Sequence, residues 1–445
     1  MSENYDIVLK GGVVVNHDGT GERDVAVRDG RIVGISSAGD RLAGTAAETI
    51  DCTGLHVLPG VIDSQVHFRE PGLTHKEDLA TGSEAAVLGG VTVVFEMPNT
   101  NPLTTSAQAL ADKVAAARGR MFCDFAFYVG GTRENIDDIP ALERLEASAG
   151  MKIFMGSSTG NLLVDDEESL DRIIARLGRR AAFHSEDEAR LIDRQDVRRK
   201  GDPTSHPEWR DVEAAMISTR RLVRLAEKHR RRVHVLHIST GDEIAFLAEH
   251  KGWASVEVTP NHLTLTAPEC YERLGTFAQM NPPVRDAAHQ ARIWQGIRDG
   301  TVDVLGSDHA PHTREEKEHA YPASHSGMTG VQTLVPIMLD HVNAGRLTLE
   351  RFVDLTSHGP QRIFGLRDKG RIAVGNDADF TIVDMKRSET ISNDKIASKC
   401  GWSPFDGKRV TGWPVMTIIR GRQVMVDGAI TGTAAGDAAR FWEND

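Results

Sequence analysis

The sequence predicts an α/β protein: a (β/α)8 TIM-like barrel with a small β-sandwich domain formed by the N- and C-terminal segments. Three observations predict it. After Pro59, eight β-branched runs alternate with helical patterns. No Gly-x-Gly-x-x-Gly follows any of these runs, which disfavours an open doubly wound sheet. Short strands separated by turn signals occupy both ends of the chain, up to Val57 and again past Gly365. At 445 residues there is room for one large domain and one smaller one. The boundaries that follow are 1–57 plus 366–430 for the composite sandwich, 58–365 for the barrel and 431–445 for a C-terminal tail, to which the sequence assigns no structure.

In chain order, the first strands are Asp6–Lys10, Val13–Val15, Asp24–Val27 and Arg31–Ile35, with hairpin signals at Asn16–Gly19 and Asp29-Gly30. The barrel strands are then Val61–Arg69, Val91–Glu96, Phe122–Val129, Met151–Met155, Ala181–His184, Arg232–His237, Ser255–Val258 and Val302–Gly306. Between them the helical periodicity is clearest over Ser106–Ala117, Asp166–Leu177, Trp209–Lys228, Asp242–His250 and Ala287–Arg298. The closing strands are Gly370–Val383, Val415–Arg420 and Gln423–Asp427. Strand edges must be covered, so the two β-rich ends are expected to pair with each other.

Composition narrows the function classes. With 40% hydrophobic and 26% charged residues the chain reads as globular. A net charge of −12 argues against nucleic acid as a partner but leaves a small anionic substrate open, since a few arginines or a metal override the global sign locally. The four cysteines, Cys52, Cys123, Cys270 and Cys400, have no paired spacing, so neither disulfides nor a thiolate zinc site is expected. Residues 1–6 lack a basic and apolar leader, and no run approaches the ~18 apolar residues of a membrane span. A cytoplasmic protein is the expectation, with no membrane and no nucleic acid among its partners.

The chemistry concentrates at strand ends. On the first barrel strand, alternation puts Asp63, Gln65, His67 and Arg69 on one side and Ile62, Val66 and Phe68 on the other. Lys152, His184, His237 and Asp308 each fall within or just after a later barrel strand. An eight-stranded tube brings such ends to one mouth. Imidazoles and carboxylates without cysteine suit zinc or a similar divalent ion at an open catalytic site, and hydrolysis is then the default reaction. Arg69 can clamp a carboxylate with two parallel hydrogen bonds.

The run from Asp63 to Gly72, with its His67-Phe68-Arg69-Glu70-Pro71-Gly72 core, resembles the first metal-binding strand of dihydroorotases. These belong to the cyclic amidohydrolases, with dihydropyrimidinases and allantoinases. The resemblance extends from Asp6 to about Gly428, and Gln65 stands where that family has its first histidine. It implies that His67 and Asp308 hold one metal, His184 and His237 the other, and a carboxylated Lys152 lies between them. Asp308 would move the proton from water to the leaving nitrogen. Arg69, Asn99 and His312 would hold a substrate carboxylate, and Asn281 would contact the ring.

The implied reaction is the reversible, zinc-dependent interconversion of (S)-dihydroorotate and N-carbamoyl-L-aspartate in pyrimidine synthesis. An allantoinase or dihydropyrimidinase is the enzyme alternative, and a non-catalytic partner of aspartate transcarbamoylase the alternative of another class. An amide oxygen is a weaker ligand than imidazole, so Gln65 leads us to expect one or two zinc ions, with the first site poorly filled. A homodimer and an association with aspartate transcarbamoylase are the partner expectations. His75, His206, His262, His325 and His358 are given no metal role, and Pro311–Thr329 reads as a mobile lid.

Overall fold

The computed structural model describes residues 4–156 and 162–442, so the first residues of the predicted sandwich and the last of the tail lie outside the described residues. The N-terminal strands are β1 (Asn4–Asn16), β2 (Gly19–Arg28), β3 (Arg31–Ile35), β4 (Thr45–Asp51) and β5 (His56–Pro59). Eight parallel strands follow: β6 (Val61–Val66), β7 (Val91–Glu96), β8 (Asp124–Gly130), β9 (Ser148–Phe154), β10 (Ala181–His184), β11 (Val233–Val235), β12 (Ala254–Val258) and β13 (Val304–Leu305). Each overlaps one of the eight runs read from the sequence. The chain ends in β14 (Phe380–Thr390), β15 (Arg409–Ile419), β16 (Arg422–Val426) and β17 (Ala429–Ile430).

β6 to β13 pair in chain order, and the ring closes where Val66 bridges His309 and the His67 N–H donates to the His309 carbonyl at 2.7 Å. Every residue of β6, β7, β8 and β9 is buried. Strands sandwiched between an inner and an outer layer have no wet face, which is why they read as continuous apolar runs rather than alternating ones. The inner layer includes Ile62, Val93, Phe95, Tyr128 and Leu236, and the outer layer Val61, Val94, Phe127, Ile153 and Phe183 packed under the helices.

The helices begin where a side chain can satisfy their first free N–H groups. Ser106, Asp166, Asp211, Thr240 and Asp286 each accept a backbone hydrogen bond from the first turn of the helix that follows. The predicted helix over Trp209–Lys228 therefore starts at Val212, just after the Asp211 cap.

The two chain ends form one nine-stranded sheet, in which β14 pairs with β5 and β5 with β1. β1 carries β4 along its first half and β5 along its second, and the sheet splits there around a core that includes Leu9, Val25, Val57, Phe380 and Ile418. The C-terminal tail is a strap across the amino-terminal end of the barrel. Phe125 N–H donates to the Asp437 carbonyl at 3.0 Å, Ala439 N–H to the Phe125 carbonyl at 2.8 Å, and Phe441 packs against the inner layer.

Candidate active site

The ten residues singled out by sequence, Gln65, His67, Arg69, Asn99, Lys152, His184, His237, Asn281, Asp308 and His312, all line one cavity of about 400 Å³ at the carboxyl ends of the barrel strands. Leu73, Lys76, Phe154 and the segment 324–327 complete its wall.

The first strand delivers its residues differently from simple alternation. The β6/β7 register shifts between Asp63 and Val66, and this irregularity reverses the parity of the strand. Ile62 thus packs in the inner layer while Val66 and Phe68 pack in the outer one. Gln65 and His67 reach the cavity, whereas the Asp63 carboxylate turns aside and accepts from the backbone N–H of Ser307 at 2.9 Å. Three site residues also sit in left-handed backbone, Arg69 at φ +65°, His237 at +38° and Asp308 at +49°. Such conformations cost on the order of 1–3 kcal/mol and persist only where the surroundings hold them, which fits side chains aimed by the fold.

The histidines of β10 and β11 converge. His184 Nδ1 lies 3.0 Å from His237 Nε2, and the other His184 nitrogen donates to Glu186 Oε2 at 2.8 Å. Arg210 holds Glu186 in turn, Nη2 to Oε2 at 2.5 Å. Burial alone would raise the Glu186 carboxyl, but Arg210 and His184 outweigh it and hold it well below the usual range. The chain carboxylate to imidazole fixes the His184 tautomer and leaves Nδ1 with its lone pair free, as in outer shells of metal sites. Burial lowers His184 and drives His237 well down, so both rings are neutral and able to ligate.

On the other side of the mouth, His67 Nδ1 lies 2.7 Å from Asn99 Oδ1 and Nε2 3.3 Å from Asp308 Oδ1. The Gln65 Nε2 group donates to the same Asp308 oxygen at 2.9 Å, while Gln65 Oε1 is buried without a partner. Lys152 is buried with no hydrogen bond to its Nζ, and burial pushes its amine down to about 7. Its neutral form is therefore well populated at physiological pH.

A divalent ion fits the donors present. Two nitrogens 3.0 Å apart come within a few tenths of an ångström of the ~3.3–3.4 Å that two imidazole ligands span on a tetrahedral zinc, and the Lys152 amine, without a hydrogen bond, faces the same cavity. Among the described residues no three His, Cys, Asp or Glu side chains close around one point; the donors come as two pairs with the lysine amine.

The substrate corner is built around Arg69. Its Nε donates to the Pro311 carbonyl at 3.1 Å and its Nη2 lies 3.2 Å from His312 Nε2, yet the buried guanidinium forms no ion pair among the described residues. Asn281 is positioned by His206, whose Nε2 lies 3.0 Å from its Oδ1. The stretch 311–329, read from the sequence as a mobile lid, lies against the cavity wall in this structure. Thr313 caps the short helix Arg314–Glu318, and the buried Lys317 Nζ donates to the carbonyls of Gln279, His325 and Gly327 at 3.1, 2.8 and 3.0 Å. Three carbonyls around one buried lysine head tie this segment to the cavity wall. Sequence reasoning missed Lys76, Glu186, Arg210 and His325, which stacks on His312. Only the three-residue run His184-Ser185-Glu186 offered a signal for any of them.

An amidohydrolase family model matches residues 56–424. The dihydroorotase of Methanosarcina acetivorans is 35% identical over 440 residues, covering 96% of this chain and 93% of that protein. The dihydroorotase of Methanothermobacter thermautotrophicus is 35% identical, with 92% of each chain covered. The L-hydantoinase of Paenarthrobacter aurescens is 34% identical, with 96% of each covered. Among solved structures, L-hydantoinase (dihydropyrimidinase) from Arthrobacter aurescens superposes with a TM-score of 0.92 at 31% identity, over 98% of this chain and 99% of that one.

Proposed function

The chain belongs to the amidohydrolase family, and from that premise we propose that it is a zinc-dependent dihydroorotase, hydrolysing and re-forming the cyclic amide between dihydroorotate and N-carbamoyl-aspartate. The observation that carries the choice of substrate is Arg69: a buried guanidinium with no carboxylate partner, beside His312 and Asn99 at the mouth that holds the hydrolytic residues. Burial lowers its pKa to about 10, still leaving it charged at neutral pH. A buried guanidinium without a direct ion pair favours an anionic ligand. Hydantoin and dihydrouracil rings carry no carboxylate to supply it.

His184 and His237 would hold the zinc, with Lys152 as a carbamate completing the set. Carbon dioxide adds to the neutral amine, forming the N–C bond and releasing one proton. Zinc bound there supplies a water-derived nucleophile at neutral pH by lowering the pKa of water toward ~7. The remaining work falls to the chain: Arg69, Asn99 and His312 orient the ring by its carboxylate, Asn281 contacts the ring, and Asp308 takes the proton of the attacking water and returns it to the leaving nitrogen.

Arg69→Met is expected to raise KM for dihydroorotate by about ten- to hundredfold, the worth of a charge-assisted hydrogen bond. Steady-state kinetics with dihydroorotate and with a carboxylate-free ring separate this reading from a hydantoinase or allantoinase. Unchanged turnover of the carboxylate-free ring as the better substrate would reject it.

Gln65 gives the second prediction. Its Nε2, a group without a lone pair to donate, occupies the side of Asp308 that faces His67. With Asp308 engaged by Gln65 and no imidazole at position 65, the His67 and Asp308 side would hold an ion weakly, and metal analysis of the purified protein should find one zinc per chain. Gln65→His should add a second. Two tightly held ions in the wild type contradict this account.

A further inference from the structure

We propose that Lys76 is a positioning residue that acts through His312 to make this corner of the cavity select a ring bearing a carboxylate. The inference rests on the dihydroorotase reading and adds to it a residue to which that reading gives no part.

Lys76 lies in the loop ahead of the helix Leu79–Leu88, is buried, and lines the cavity. Its Nζ is 2.9 Å from Glu316 Oε1 and 3.1 Å from His312 Nδ1. Nε2 lies 3.1 Å from the Ser326 carbonyl and 3.2 Å from Arg69 Nη2. An ammonium only donates, so the Lys76 contact asks Nδ1 to accept and, with the Ser326 carbonyl at Nε2, favours the single proton of the neutral ring on Nε2. A guanidinium also only donates, so the Arg69 contact at Nε2 asks the opposite, since a neutral ring cannot accept at both nitrogens. With the proton on Nε2, His312 Nε2–H and Arg69 present two donor groups side by side with no anion between them, and a carboxylate can accept from both.

The alternative tautomer would destroy this arrangement. Glu316 Oε2 lies 3.5 Å from His312 Nδ1, close enough to draw a proton there once Lys76 is gone. Nε2 would then turn a lone pair toward the incoming carboxylate, and a donor would become a repulsive acceptor. Charge points the same way. Glu316 pairs with Lys76, which leaves Arg69, beside His312, as a cation of this corner without an ion pair among the described residues.

The test has two readouts. Two-bond proton–nitrogen correlation spectra of histidine-labelled protein, with His312 assigned through His312→Asn, should show the Nε2–H tautomer in the wild type and its loss in Lys76→Met. In the same variant, KM for dihydroorotate should rise about ten- to hundredfold with kcat changed less than about threefold. Lys76→Arg, which still offers only donors to Nδ1, should restore the tautomer and most of the affinity.

An Nδ1–H tautomer in the wild type overturns the proposal even if no variant folds. So does a KM within about twofold of wild type in Lys76→Met, or a fall in kcat as large as the rise in KM. Wild-type protein that holds the Nε2–H tautomer but does not turn dihydroorotate over overturns the substrate reading, and the selectivity with it. An unchanged tautomer and KM in Lys76→Met, with an active wild type, overturn the role of Lys76 alone.

Discussion

Asp308→Asn is expected to lower kcat about 10²–10⁴-fold, the usual worth of a positioned general acid–base group. The residue follows β13 in left-handed backbone that turns its carboxylate into the cavity. Gln65 Nε2 grips Oδ1 at 2.9 Å, and Oδ2 carries no hydrogen bond among the described residues. An asparagine has the same shape and can still accept from Gln65, so the geometry of the mouth is kept. What it cannot do is take up a proton at the reacting oxygen and deliver it to the departing nitrogen. Zinc content should stay at the wild-type value, since the ion rests on His184 and His237 in the account above. A loss smaller than about tenfold, or a loss that merely tracks missing zinc, removes Asp308 from the proton-transfer role.

The barrel was legible because its strands are buried on both faces, so that composition alone marks them, and because polar caps such as Ser106 and Asp286 announce the helices. The helix Leu79–Leu88 has its polar cap too, in Asp78, but lacks a readable apolar period. It carries Gly82 and Ser83 where a periodic apolar stripe would be sought, and a Cβ at Gly82 would lie 2.5 Å from the Phe68 ring. Close packing chose small residues there, and small residues hide the period. The ligand candidates could be read because each ends a strand. Their neighbours could not: Lys76 meets His312 across 236 residues of sequence, and Glu186 becomes meaningful only once Arg210 is seen against it. The parity of the first strand depends on how β6 registers with β7, a property of the pair and not of either segment. Lys317 gave no signal at all, since nothing in a polar stretch marks a lysine around which three carbonyls gather.

Lys369→Met is expected to destabilise the fold by about 3–5 kcal/mol, the cost of removing one partner from a buried charge cluster. Lys369 lies where the split sheet meets the amino-terminal end of the barrel. Its Nζ is 2.8 Å from Asp124 Oδ2, 3.1 Å from Asp377 Oδ2 and 2.5 Å from Asp379 Oδ2, all of them buried. Arg420 pairs with Asp124 as well, but Asp377 depends on the lysine and on the partly exposed Arg31 and Arg440, and Asp379 on the lysine and the Arg420 backbone N–H. Burial works against the Lys369 charge, yet the three aspartates outweigh it and raise its pKa. A raised lysine contributes fully below its unfolded value of about 10.4 and loses that contribution only as pH rises through the folded value. The gap between wild type and variant should therefore be widest from about pH 7 to 9. It should narrow in acid, where carboxylates left without their cation can take up protons and shed the charge that destabilises them. Denaturant or thermal midpoints of both proteins, measured across that range, decide the matter. A variant as stable as the wild type at neutral pH, or a gap that widens in acid, would mean that the aspartates are satisfied without Lys369.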